Sequence, residues 1–178
     1  ADVKVRRLVM LRHGQTEWNA QGRMQGALNS PLTKRGEEEA ARQGAILAKC
    51  NLRGFAFICS PQGRAIQTAG IALAQMADMI HTDVRLREIG VGDWAGVPRD
   101  ELPMEDVPDP FIAQYEAAPN GEGMAALEVR VRAFLADLQG PSVLVTHGIT
   151  SRVIRSVIVG EATLAPSSIH GGQGVIYH

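Results

Sequence analysis

Short apolar runs alternate with longer stretches of helical periodicity along this chain. Leu8 to Leu11 is a continuous apolar run ending at Arg12, His13 and Gly14. Phe55 to Cys59 is a second, ending at Ser60 and Pro61. Ser142 to Val145 is a third, ending at Thr146, His147 and Gly148. Runs without polar alternation fit strands covered on both faces. Val175 to Tyr177 reads as a short last strand. Thr33 is placed to cap a helix from Lys34 to about Cys50, with Glu37, Glu38 and Glu39 near its positive end. Ala40, Gly44 and Leu47 form its expected buried stripe. Gln62 to Ala77 repeats the helical pattern through Ile66, Ala69, Leu73 and Met76. Glu122 to Gln139 reads as a third helix with Leu127, Val131, Phe134 and Leu138 on one face, and Ile149 to Val159 as a fourth. Alternation of strand and helix predicts an α/β fold: a three-layer α/β/α sandwich with a mostly parallel central sheet. A length of 178 residues suits one domain, 1–178.

One segment breaks the pattern. Residues 97–120 hold five of the nine prolines, six acids and one base, Arg99. Proline at that density argues against a long helix or a central strand. The segment reads as an excursion with short helical pieces covering one end of the sheet. Long connections of this kind often act as lids or binding loops.

The whole chain sums to -1, from 18 Lys+Arg and 19 Asp+Glu. That balance argues against bulk capture of nucleic acid or of an acidic membrane surface. The excursion alone contributes -5, from its six acids and one base, which leaves +4 for the rest. Arg outnumbers Lys fifteen to three, and Arg is the planar donor suited to oxyanions. Cys50 and Cys59 have no metal-binding spacing and read as reduced, buried thiols of a cytoplasmic protein. No apolar run approaches membrane-spanning length. Ala1 to Arg7 is charged and lacks the apolar core of a signal peptide.

Open α/β sheets bind ligands at the carboxyl ends of their strands. Three such ends deliver polar groups: Arg12 and His13, then Ser60 with Arg64 one turn on, then His147. Two guanidiniums and two imidazoles aimed at one crevice make an oxyanion pocket, and neutral imidazole is a nucleophile.

Leu11 to Asn19, reading LRHGQTEWN, resembles the signature of the histidine phosphatase superfamily, the phosphoglycerate-mutase-like proteins. Arg23-Met24-Gln25-Gly26 with Ser30-Pro31-Leu32-Thr33 is similar to that family's next segment. Ser60-Pro61 with Gly63 to Ala69 resembles its second arginine motif. Leu86 to Ile89 with Gly92 to Gly96 resembles its acid motif, and Val145 to Gly148 its second histidine motif. The resemblance implies a phosphomonoester hydrolase acting through a phosphohistidine on a small-molecule phosphate. His13 would be the nucleophile. Arg12, Arg64 and His147 would hold the phosphoryl oxygens. Glu88 would protonate the leaving oxygen and so must carry its proton when substrate binds. Asn19, Gln25, Gly26 and Gly148 match positions that line the family's phosphate pocket, while Thr16 orders the loop. Neither a metal nor any cofactor is implied, since the arginines supply the counter-charge. Oligomeric state, monomer or homodimer, is left open.

Each residue also has a plainer reading. Glu88 could pair with Arg85 or Arg87 at the surface. Trp18 and Trp94 could simply pack. His81, His170 and His178 match no motif. Gly90 to Ala95 formally fits G-x-G-x-x-A, but no apolar strand leads into it. Mutase-type phosphoryl transfer and a non-catalytic phosphate- or protein-binding module are the alternatives. The acidic excursion favours hydrolysis of a modestly charged ester. The family's usual Gly-Glu-Ser is here Gly121-Glu122-Gly123, which loses a hydroxyl.

Overall fold

The computed structural model describes residues 7–160 and the backbone of 176–177. Its sheet has five strands: β1 Leu8–Arg12, β2 Ala56–Cys59, β3 His81–Thr82, β4 Ser142–Thr146 and β5 Ile176–Tyr177. Their order across the sheet is β3-β2-β4-β1-β5. The first four run parallel, and β5 pairs antiparallel with β1. The helices are α1 Glu17–Ala20, α2 Lys34–Leu47, α3 Gly63–Leu73, α4 Pro110–Ala117, α5 Met124–Asp137 and α6 Gly148–Val159. This is the expected three-layer sandwich with a mostly parallel sheet. Among the described residues no helix is long and apolar enough to cross a membrane.

The continuous apolar runs serve two cores at once, because successive side chains in a strand point to opposite faces. Met10, Ile58 and Leu144 face a cluster built with Leu127, Val131, Phe134, Val153 and Ile154 of α5 and α6. Leu11, Phe57, Cys59, Val143 and Val145 face a cluster with Leu47, Ala65, Ala69 and Leu73 of α2 and α3. Thr33 caps α2 as expected, its hydroxyl accepting from Gly36 N at 3.1 Å. The α2 stripe holds Ala40 and Leu47, but its other buried positions are Gly36, Glu39 and Gln43; Gly44 is only half-buried.

Three expectations are corrected. Helix α3 is shorter than Gln62 to Ala77, and Ile66 is 48% exposed. Its buried face is rotated to take in Arg64 and Thr68, polar residues that a hydrophobic period cannot register. Helix α5 begins at Met124 rather than Glu122. Gly123 sits at its N-cap with φ +76° and no side-chain bond, and the carboxylate of Glu116 accepts from Met124 N at 2.7 Å instead. Cys50 is exposed; Cys59 is buried, and burial pushes its thiol up to about 12.

The excursion contains a 3₁₀ turn at Arg99–Glu101 and α4. Its start lies against residues 22–24. Met24 N donates to Val97 O at 3.0 Å, Gly96 N to Met24 O at 2.7 Å and Arg99 N to Gly22 O at 2.9 Å. Its middle is held by Asp109, which caps α4 and pairs with Arg152 of α6.

Candidate active site

The sheet register builds the site. Arg12 lies opposite Thr146 in the β1–β4 pair, and Cys59 opposite Val145 in the β2–β4 pair. The next residue of each strand therefore falls at one edge: His13, His147 and Ser60. His13 N donates to Thr146 O at 3.1 Å, and Ser60 N to Val145 O at 2.9 Å. The two imidazole rings are 5.1 Å apart, tilted by 58°.

His13 is buried, and its Nδ1 lies 2.7 Å from Gly14 O. A carbonyl only accepts, so Nδ1 carries the proton and Nε2 keeps its lone pair. Burial, then Arg64 and Arg12, hold the imidazole down to about 3. His147 is fully buried and is likewise held well below its ordinary value, by burial first and then by Arg64, His13, Arg12 and Arg130. Both rings are neutral near pH 7. The unfolded chain protonates them below about 6.5, while the native chain refuses the proton down to about 3 at His13. Stability is therefore present above pH 6.5 and falls as pH drops through the window from 6.5 towards 3. Urea melts at pH 7 and pH 5 test this; equal midpoints would count against it.

Arg64, 1% exposed, is threaded through the loop between α1 and α2. Its Nη1 donates to Leu28 O at 2.7 Å and its Nη2 to Gly26 O at 2.9 Å. Its Nε has no partner, and neither do Arg12 Nε and His147 Nδ1. Two buried guanidinium donors, Arg12 Nε and Arg64 Nε, and the Nδ1 atom of His147 thus lie without partners, and both arginines bear on the neutral His13 ring. Such groups cost free energy unless an acceptor arrives. An oxyanion supplies it.

Glu88 forms no pair with Arg85 or Arg87, which engage Asp83, Asp137 and Glu122. Its carboxylate lies at the start of α6. It accepts from Ile149 N, Thr150 N and Ile89 N, each within 3.0 Å, and lies 3.0 Å from Thr150 Oγ1. The helix N-terminus favours an acidic side chain at that place. Glu88 N donates to Gln62 Oε1 at 2.9 Å, and Gln62 Nε2 to Gly26 O at 2.9 Å. Gln62 thus ties the acid to the loop that holds Arg64.

The pocket is lined by Arg12, His13, Asn19, Gln25, Gly26, Arg64 and Glu88, together with Gly22, Arg23, Arg99 and Tyr115. Thr16 and Asn19 form a reciprocal cap on α1, so Thr16 orders the loop as expected. His147 and Gly148 are not among the lining residues, although the His147 ring lies 5.1 Å from that of His13. A Cβ on Gly148 would come within 3.0 Å of Arg12 Cζ, so the glycine makes room for the guanidinium. Trp18 packs beneath Gly96, and Trp94 joins a small apolar cluster with Met24 and Val91. Residues 92–94 form a 3₁₀ turn, not the helix that a dinucleotide motif needs. His81 is an exposed strand residue. His170 and His178 lie outside the described residues.

Sequence reasoning missed Arg23, Arg99, Tyr115 and Gln62. The signals were present: Arg23 and Gln62 fall inside matched segments, and Arg99 is the one base of an acidic stretch. The acids of the excursion do not reach the pocket wall. Asp109 and Glu116 are spent on Arg152 and on the α5 cap, and Asp100, Glu101, Glu105 and Asp106 are exposed and outside the lining. The lining itself carries four arginines and one acid.

Residues 8–177 match the model of the histidine phosphatase superfamily, branch 1. The chain belongs to this superfamily. The histidine phosphatase is 32% identical to the glucosyl-3-phosphoglycerate phosphatase of Mycobacterium tuberculosis over 163 residues, 82% of this chain and 72% of that protein. It is 39% identical to a probable phosphoglycerate mutase of Enterobacter sp., over 85% of this chain and 74% of that one. A higher identity, 42%, to the glucosyl-3-phosphoglycerate phosphatase of Mycolicibacterium vanbaalenii spans only 56% of this chain and 44% of the relative. The crystal structure of a putative alpha-ribazole-5'-P phosphatase from Escherichia coli superposes with a TM-score of 0.82 at 27% identity, covering 97% of this chain and 89% of that one.

Proposed function

We propose that this phosphoric monoester hydrolase works through a transient phosphohistidine at His13, on small-molecule phosphates. The observation that carries the reading is the free Nε2 lone pair of a neutral imidazole beside the buried, unpartnered Nε–H donors of Arg12 and Arg64. The Nε2–P bond forms as the bond from phosphorus to the leaving oxygen breaks, and Glu88 gives that oxygen its proton. Water then attacks phosphorus as the Nε2–P bond breaks and its electron pair returns to His13; the water gives a proton to Glu88 and orthophosphate leaves. Arg12, Arg64 and the second imidazole, His147, hold the phosphoryl oxygens through both steps. Asn19, Gln25 and Gly26 shape the pocket wall, and Gly148 seats Arg12.

Arg23 and Arg99 select the leaving group. Both line the pocket, and both are held by neutral acceptors: Gly96 O and Gln21 Oε1 for Arg23, Gln114 Oε1 and the Tyr115 hydroxyl for Arg99. Among the described residues neither pairs with a carboxylate. Their charge suits a leaving group that carries its own anion, in keeping with relatives named for phosphoglycerate esters. The same two arginines favour mutase-type transfer as the second reading. The free thiols Cys50 and Cys59 suit a reducing compartment such as the cytoplasm.

Rapid acid-free quench of wild type with a labelled carboxylated phosphomonoester and with a neutral one tests both points. The expected result is a burst of acid-labile, base-stable protein phosphate, larger for the carboxylated ester, followed by orthophosphate. No phosphoprotein, or isomerised 3-phosphoglycerate in place of orthophosphate, overturns the reading.

A further inference from the structure

We propose that Ser60 is a positioning residue: its hydroxyl donates to Nε2 of His147 and so sets the second imidazole as an Nδ1–H donor for the phosphoryl group. Only the last clause rests on the hydrolase reading; the tautomer stands on the geometry of the free site.

Ser60 and His147 are both fully buried, and Ser60 Oγ lies 2.7 Å from His147 Nε2. The same Oγ accepts from Gln62 N at 3.3 Å. A hydroxyl has one hydrogen and two lone pairs, and a backbone N–H can only donate. Gln62 therefore occupies a lone pair and leaves the hydrogen for Nε2. Among the described residues the Ser60 side chain has no other partner. The reverse arrangement would have Oγ accept twice. It would strand the hydroxyl hydrogen and also leave Nδ1 as an acceptor with nothing to accept. The forward arrangement leaves one unmatched group, Nδ1–H, which is the buried atom without a partner. An anionic oxygen completes it. The ring is neutral in its cationic surroundings, so one nitrogen holds the proton and Ser60 decides which.

The β2–β4 register fixes the pair, since Cys59 lies opposite Val145 and the next residues meet across the strand ends. Gln62 links this pair to Glu88 through the bond already described. The segment 60–64 thereby orients three groups at once: the His147 tautomer, the Glu88 backbone and the Arg64 guanidinium.

Long-range ¹H–¹⁵N correlation spectra of the ¹⁵N-labelled free protein at pH 7 test the tautomer, with His147→Gln used to assign the ring. The expected result is the Nδ1–H form in wild type and a mixed or Nε2–H form in Ser60→Ala. On p-nitrophenyl phosphate Ser60→Ala should lose about 10- to 100-fold in kcat, short of the ~100- to 1000-fold for deleting an oxyanion donor. Ser60→Thr, which keeps the hydroxyl, should restore the wild-type tautomer. An Nε2–H ring in wild type overturns the proposal, as does Ser60→Ala with tautomer and kcat unchanged. If Ser60→Ala does not fold, the wild-type spectrum still decides. A wild type that shows Nδ1–H but hydrolyses nothing upholds the tautomer and overturns the hydrolase reading instead.

Discussion

His13→Ala should lower kcat/KM by at least ~10⁴-fold, the scale on which removing a covalent nucleophile acts in other enzymes. The reason is chemical rather than structural. In the proposed mechanism the neutral Nε2 divides one difficult displacement into two easier ones. Arg12 and Arg64 remain in the variant, so phosphate esters should still bind, with KM changing far less than kcat. The fold should survive, because β1 keeps its ladder to β4 and Met10 and Leu11 keep their opposite cores. Losing the buried imidazole also removes one protonation burden, so the variant should resist mild acid better than wild type. Steady-state kinetics with urea melts at two pH values check all three points. Retention of more than about a tenth of wild-type activity would assign the nucleophile elsewhere.

Arg64→Lys should be nearly as damaging and should also cost stability. Arg64 uses three directions of its fork: Leu28 O, Gly26 O and the unpartnered Nε facing the site. An ammonium is a compact point charge and cannot meet all three. Leu28 O loses its side-chain donor, while Gly26 O keeps Gln62 Nε2. Loss of one phosphoryl donor corresponds to about 10²–10³-fold in kcat. One unsatisfied buried carbonyl with a misplaced charge corresponds to about 1–3 kcal/mol of stability. Kinetics and thermal melts of Arg64→Lys check both. A variant as stable as wild type would mean that the loop from Gly26 to Leu28 is held by other contacts.

Four of the five strands were legible because apolar runs are local signals, and motif order picked out seven residues that line one pocket. Met10 and Leu11 must both be apolar when two cores flank one strand, and that leaves a visible run. The face of α3 was misread because Arg64 and Thr68 occupy buried positions for the sake of the site, and a hydrophobic period counts them as solvent. Strand β3 escaped notice since His81 and Thr82 are exposed and too few to set a pattern. The charge of the pocket wall was not legible from arithmetic. Summing residues 97–120 to -5 discards direction, and Arg99 turns inward while most of the acids do not. Legibility ended where a side chain's orientation, rather than its type, carried the information.

The position of β4 has a consequence for synthesis. It comes fourth in the chain yet sits at the centre of the parallel array, between β1 and β2. Until it emerges, β1 and β2 have no common neighbour, and His13 and Ser60 stand on separate pieces. A ribosome-bound chain that stops short of Thr146 has His13 and both Arg12 and Arg64 but lacks the strand that brings them together. The site is thereby withheld until β4, His147 and the start of α6 have been made.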